Sequence, residues 1–307
     1  MPFRRLMSSI VSTSSAPLNK ARRHSRPRQS WFVLLLCMLL TGCSTTRLMY
    51  NQLDWVIVWY LNGFFSLNEE QEAQLHESVA RNLEWHRTTQ LPEYAKFCRE
   101  LDQELNGNLS AEILERRYEK MIELWDEFIL QTLPDVSAFF LSLDQAQIDE
   151  FIENLEENNE ELWEDFAGES AEERLERRQK QAIKGTKRVV GRLTGDQKEL
   201  IRAYMTNMHD VSVEWMAGRK AWQSDFRALM IERPPEPAFT ESLTKFMVEP
   251  NREDAPAYRK KVDENRQTVF AMMTALSEQF TNKQRARLSK RLNNYAKDFE
   301  LLALQNP

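Results

Sequence analysis

Apolar residues recur every three or four positions along nearly all of this chain, and no stretch sustains the strict alternation of a half-buried strand. The last segment shows this most plainly. Leu288, Leu292, Tyr295, Phe299 and Leu302 are separated by 4, 3, 4 and 3 positions, which lines them up along one side of a helix. Such a stripe is stable in water only when something covers it, so the helix must pack on others. The stretch before it, with Tyr258, Val262, Val269, Met273, Leu276 and Phe280, is the expected antiparallel neighbour. The fold class is therefore all-α.

Caps and breakers divide the pattern. Asn106-Gly107 closes one helix and Ser110 opens another; Pro134 after Leu133 marks a further boundary. Gly168 ends a helix, Ser170 starts the next, and Pro234-Pro235-Glu236-Pro237 forces a rigid break. The result is an elongated multi-helix bundle of about nine or ten helices, too many for a simple four-helix bundle. The only strong linker candidate, residues 233–237, is short and stiff, so residues 43–307 are read as one helical domain.

The first 42 residues do not fit that domain. Their charges are Arg4, Arg5, Lys20, Arg22, Arg23, Arg26 and Arg28, with no acidic residue. The apolar run Trp31 to Leu40 follows, too short to span a bilayer and of the right length for the hydrophobic part of an export signal. Directly after it, Leu40-Thr41-Gly42-Cys43 resembles the bacterial lipobox. That resemblance implies cleavage between Gly42 and Cys43, with N-acyl and S-diacylglycerol lipid on Cys43 as the only covalent group and no other cofactor. Ser44 resembles the sorting residue of outer-membrane lipoproteins, which implies a lipid-anchored protein on the periplasmic face of the outer membrane.

Removing the leader also changes the electrostatics. The remaining chain carries 34 basic and 47 acidic side chains, a net charge of −13, which argues against nucleic acid as a partner. Of the three cysteines, Cys37 leaves with the leader and Cys43 is acylated. Cys98, among apolar residues at helical spacing, is expected to be a buried, inert thiol.

One local pattern occurs four times: an apolar residue, an Asn, Asp or Thr, and a Gln three positions after it. The copies are Leu67-Asn68 with Gln71, Leu143-Asp144 with Gln147, Leu193-Thr194 with Gln197 and Phe280-Thr281 with Gln284. Each reads as a capping box, in which cap and Gln side chains satisfy the free N–H groups of a first helical turn. The Gln residues are 76, 50 and 87 positions apart, which is no solenoid period. Leu193-Thr194-x-x-Gln197 is similar to the L-T-x-x-Q motif of Spy/CpxP-type periplasmic proteins. A broader likeness rests on Tyr50-Asn51-x-Leu53-Asp54-Trp55, Leu67 to Gln71, Trp85-His86-Arg87 and Leu91-Pro92-x-Tyr94. These look like an uncharacterised family of Gram-negative lipoproteins, which implies a helical envelope protein and transfers no catalytic residues.

Three features are candidates for function. Leu48 to Phe65 is rich in Trp and Tyr; the favoured reading is a core helix, the alternative a helix lying in the membrane interface beside the anchor. Trp85, His86 and Arg87 are placed near the end of their helix, as a surface cap or as an anchor for a partner. The third is charge segregation: Asp149 to Glu173 holds only acidic charges, and Arg174 to Arg192 is basic except for Glu176. The two helices could fold back and neutralise each other. Alternatively Arg174, Arg177, Arg178, Lys184, Arg188 and Arg192 form an exposed basic face, with Leu175, Ile183 and Val189 as a weak apolar side.

Catalytic signatures are missing from the sequence. His76-Glu77-Ser78-Val79-Ala80 lacks the second His of a zinc helix, and there is no C-x-x-C, G-x-S-x-G or phosphate-binding loop. The expected function is therefore non-catalytic: a scaffold for an envelope protein, an anionic lipid or a glycan, with no metal. A chaperone-like envelope-stress protein is the alternative and a cell-envelope hydrolase the third reading.

Overall fold

The structure, a computed structural model, describes residues 45–107, 109–167, 169–248 and 256–305. Gly42 and Cys43 lie outside the described residues. Among those described there are helices and no strands, eleven helices in all, ten of them seven residues or longer. They are α1 (Thr45–Tyr50), α2 (Leu53–Leu61), α3 (Glu69–Trp85, continued through His86–Gln90 into Leu91–Asn106), α4 (Ala111–Ser142) and α5 (Gln145–Ala167). Then follow α6 (Ala171–Val190), α7 (Gly195–Thr206), α8 (Ser212–Glu232), α9 (Ala238–Val248), α10 (Pro256–Glu278) and α11 (Asn282–Ala303).

The expected caps are in place. The side chains of Asn68, Ser110, Ser170, Thr194 and Thr281 each accept from the backbone N–H three residues on. Pro134 does not end a helix as its position suggests: α4 runs through it. Residues on both sides of the proline, Ile129, Leu133 and Ser137, are buried, whereas Pro134 itself is exposed. The ring and the Leu130 carbonyl it deprives of a donor face solvent, so burying the opposite side outweighs a local cost of about 3 kcal/mol.

The four boxes form two pairs. The Gln71 amide nitrogen donates to Gln147 Oε1 at 2.9 Å, and Gln147 returns the bond at 2.7 Å. Each amide nitrogen also reaches the carbonyl two positions before the other box's cap, Ser142 and Ser66, both at 2.8 Å. Each amide oxygen, finally, accepts from its own cap N–H, that of Asn68 or Asp144. The second pair repeats this bond for bond. Gln197 and Gln284 exchange bonds of 2.9 Å and donate to the carbonyls of Gln279 and Arg192. Their oxygens accept from Thr194 and Thr281. All four side chains are buried, between 0 and 6% exposed, and every donor and acceptor of each amide is used.

Each bridge sits beside its own core. Around the first lie Phe65, Leu143 and Ile148 with Ile129, Phe226, Met230, Phe239 and Leu243, including Phe65 stacked on Phe151 at 4.6 Å. Arg233, the left-handed residue that ends α8, donates to the Leu143 carbonyl and ties that helix end to the corner. Around the second lie Val190, Leu193, Ile201, Met205, Met272 and Leu276. Gly191 turns the chain into this corner at φ 95°, ψ −153°, a conformation that only glycine adopts without strain.

A long seam joins the two ends. Leu91, Ala95 and Cys98 of α3 pack on Ala296 and Leu302 of α11, with Leu292, Tyr295 and Phe299 alongside. The contacts run from Leu91 near Leu302 to the Arg285 side chain on the Leu105 carbonyl, so the two helices are antiparallel. The stripe from Leu288 to Leu302 is thus covered, but by α3 rather than by the preceding helix. α10 instead lies against α4 and α7 through Tyr258, Asn265, Phe270, Met272 and Leu276. Val262 and Met273, expected on its packed side, stand outside at 37 and 40% exposure. Cys98 is buried as expected, and burial pushes its thiol pKa up.

The exposed proline supplies a test. Pro134→Ala restores a donor for Leu130 without touching the buried side of α4, and we expect it to raise unfolding stability by about 1–2 kcal/mol. A lower denaturant midpoint would show that the proline is needed where it stands.

Candidate binding surfaces

Trp85, His86 and Arg87 are not at a helix end. His86–Gln90 form a π-helical turn inside α3, with the Leu91 N–H bonded to the His86 carbonyl, and the helix continues to Asn106. Turns of this kind re-aim side chains within an otherwise regular helix. Here His86 enters an aromatic nest: its ring stacks on Tyr50 at 5.8 Å and meets Tyr94 and Phe128 edge-on at 5.4 and 5.9 Å. Nδ1 lies 2.9 Å from the Tyr50 hydroxyl. Burial lowers the His86 pKa to about 4 and raises that of Tyr50 to about 12, so at neutral pH both are uncharged.

Arg87 lies over the Tyr50 ring at 5.1 Å and donates to Asn51, to the Leu302 carbonyl and to Gln305. Neutral His86 and cationic Arg87 thus clamp α1, α3 and the end of α11 together, and Trp85 is half-buried beside them. No feature of the sequence signals that Tyr50 and His86 meet, because the pair is 36 residues apart and its geometry depends on the π turn.

The acidic and basic helices take different packing neighbours. α5 packs on α8, whereas α6 packs on α7 and α11 because Ala182, Ile183 and Val190 complete the second core. Val189, expected on the apolar side, is 39% exposed; Val190 takes that role. The basic stripe divides in two. Arg174 and Arg178 hold Asp210 at 2.6 and 3.1 Å, and Arg177 holds Glu169 at 2.9 Å. Burial alone would raise the Asp210 pKa, but the hydrogen bonds from Arg174 and Ser212 and the Arg178 charge hold it well below the usual carboxylate range.

The second half is different. Lys184, Lys187, Arg188 and Arg192 are exposed and have no acidic partner among the described residues. Beside them runs α11, where residues 283–297 hold six basic side chains and no acidic one. Arg291 donates to the Arg188 carbonyl at 2.8 Å, which brings the two helices together. Exposed Arg287 and Lys290 extend the patch. The α11 residues were absent from the sequence-based candidates, although their acid-free run is visible in the sequence.

Leu48 to Phe65 is only partly core. Tyr50, Val58 and Phe65 are buried, but Leu48 and Met49 are each 65% exposed and Trp55 and Trp59 are 59 and 62% exposed. The favoured reading as a core helix fails for this outer side. The segment is apolar almost all round, so periodicity could not say which side faces inward.

Among the described residues no group of His, Cys, Asp and Glu could hold a metal ion, and no helix is long and apolar enough to cross a membrane. His209 is exposed and bonded to Glu264 at 2.7 Å. A buried arginine, Arg219, is held by the side-chain oxygens of Asn158 and Asn159, and burial lowers its pKa.

The His86 pKa has a consequence for stability. The unfolded imidazole binds its proton near pH 6.5 and the folded one only near pH 4. Between these values the unfolded state holds more protons, so the stabilisation present above pH 6.5 is lost as pH falls to 4, by up to about 3 kcal/mol. Denaturant midpoints should drop across that window, and His86→Asn should lose most of the drop. An equal drop in the variant would remove His86 as its source.

No curated protein and no solved structure matches this chain. Residues 63–259, which include the first bridge, the basic α6 and the start of the second bridge, match one family model, described as a family of unknown function (DUF6279). That span is well over half of the chain, and the protein belongs to this family.

Proposed function

We propose that the protein is a lipid-anchored outer-membrane lipoprotein facing the periplasm, where it acts as a non-catalytic scaffold that captures an acidic protein of the envelope. The observation that carries this reading is the exposed patch of Lys184, Lys187, Arg188, Arg192, Arg287 and Lys290, without an acidic partner among the described residues, on a mature chain of net charge −13. Six uncompensated cations close together raise the local potential and favour encounter with an acidic surface, while the rest of the molecule repels one. Anchorage through Cys43 is supported by Leu40-Thr41-Gly42-Cys43 at the end of the apolar run. The chaperone alternative drew on the L-T-x-x-Q likeness, and the Gln197 of that motif is buried in a bridge within the molecule.

The test is capture in cells. A photoreactive residue in place of Lys187 should yield one protein adduct of fixed mass, and Arg188→Glu combined with Lys290→Glu should reduce its yield about tenfold or more, since each cation lost from a buried contact costs 1 kcal/mol or more. Adducts with many unrelated proteins would favour the chaperone reading. No protein adduct, with charge-dependent retention on anionic lipid or glycan, would replace the partner proposed.

A further inference from the structure

Two residues after the expected lipid-bearing Cys43, α1 begins, and α1 and α2 carry a dense group of outward apolar side chains. Leu48, Met49, Trp55, Val56 and Trp59 account for five of the fourteen large exposed hydrophobic side chains among the described residues, all within twelve positions. Trp55 and Trp59, one helical turn apart, stack at 6.1 Å between ring centroids with an interplanar angle of 15°. Between Leu48 and Phe65 the only formal charge is Asp54.

The inner side of the same segment is firmly held, which fixes what the outer side presents. Tyr50 and Val58 are buried. Arg47 pairs with Asp298 at 3.3 Å, Tyr50 bonds to His86, and Asn51 donates to Gln305 at 3.2 Å. The exposed tryptophans are therefore not a frayed end; they are presented by a segment bolted to α3 and α11.

We propose that this outer face is a membrane seat: Leu48, Met49, Trp55 and Trp59 insert into the interfacial layer of the bilayer that holds the lipid anchor. The proposal rests on the reading of Cys43 as the lipidated residue. Two peptide units span at most about 7 Å, so α1 starts at the membrane surface. Indole rings favour the headgroup level, with an apolar body and an N–H that stays hydrated. The near absence of charge lets the face approach zwitterionic and anionic lipids alike, which separates it from the basic patch. A lipid tether alone leaves the body free to swing; a seat beside it sets the orientation in which the body projects into the periplasm.

The test uses the full chain made in a Gram-negative host, wild type and Cys43→Ala, reconstituted at high salt with phosphatidylcholine vesicles brominated close to the headgroup. Wild-type tryptophan emission should be quenched on reconstitution. The Trp55→Ala/Trp59→Ala variant should remain bound through its lipid but lose at least about half of the quenching. A Trp163→Phe control, which changes an exposed tryptophan elsewhere, should quench as the wild type does. Equal quenching in the double variant and the wild type, or none in a lipid-bearing wild type, would overturn the seat. Metabolic labelling with palmitate reads the anchor separately: label without quenching sinks the seat alone, and quenching without label leaves the seat and sinks the Cys43 reading.

Discussion

The reciprocal glutamine bridge is the interaction on which the rest of this structure depends. A buried primary amide has two donors and two acceptor sites, and leaving any of them unpaired away from water costs about 1–3 kcal/mol. In each pair both amides satisfy all of them at once: on the partner amide, on their own cap N–H, and on the carbonyl that precedes the partner's corner. The same side chains therefore cap two helices, pin two chain reversals to each other and fix their relative direction. Residues 76 and 87 positions apart are joined this way in the two halves, which gives a long all-α chain two defined nodes around which its cores assemble.

Between the nodes, the antiparallel seam of α3 and α11 carries the outward-facing features. Near the far end of α11, the clamp of Arg87, Tyr50 and His86 holds α1 and α2 and so aims Trp55 and Trp59. Near the start of α11, the second bridge holds α6 and α11 together, and the result is a concentration of positive charge that neither helix has alone. The exposed tryptophan segment and the basic patch thus lie toward opposite ends of one helix of 22 residues, about 33 Å long. That separation suits a protein that is held at one end and binds at the other.

How much of this was legible in the sequence depends on the range of the interaction. The helices, most of their caps and the apolar stripe from Leu288 to Leu302 are local and were readable, as was the burial of Cys98. The boxes were readable as caps, but not as bridges, because nothing in a three-residue spacing says which other box will face it. Pro134 misled because local propensity there is overridden by the buried side of α4. The partner of the last helix was missed for a related reason: proximity in sequence favoured α10, while complementary packing chose α3. The charge segregation was visible, but its outcome depended on Asp210, a loop residue 36 positions from Arg174.

The central claim, that paired glutamines act as single structural units, is tested most directly by a double-mutant cycle on Gln71 and Gln147. Each single change to Leu orphans the partner amide and a buried carbonyl; the double change removes both amides together. The account predicts a coupling energy of at least about 1 kcal/mol from denaturant unfolding, with the double variant less destabilised than the sum of the singles. Additive losses would contradict it and reduce the four glutamines to independent helix caps.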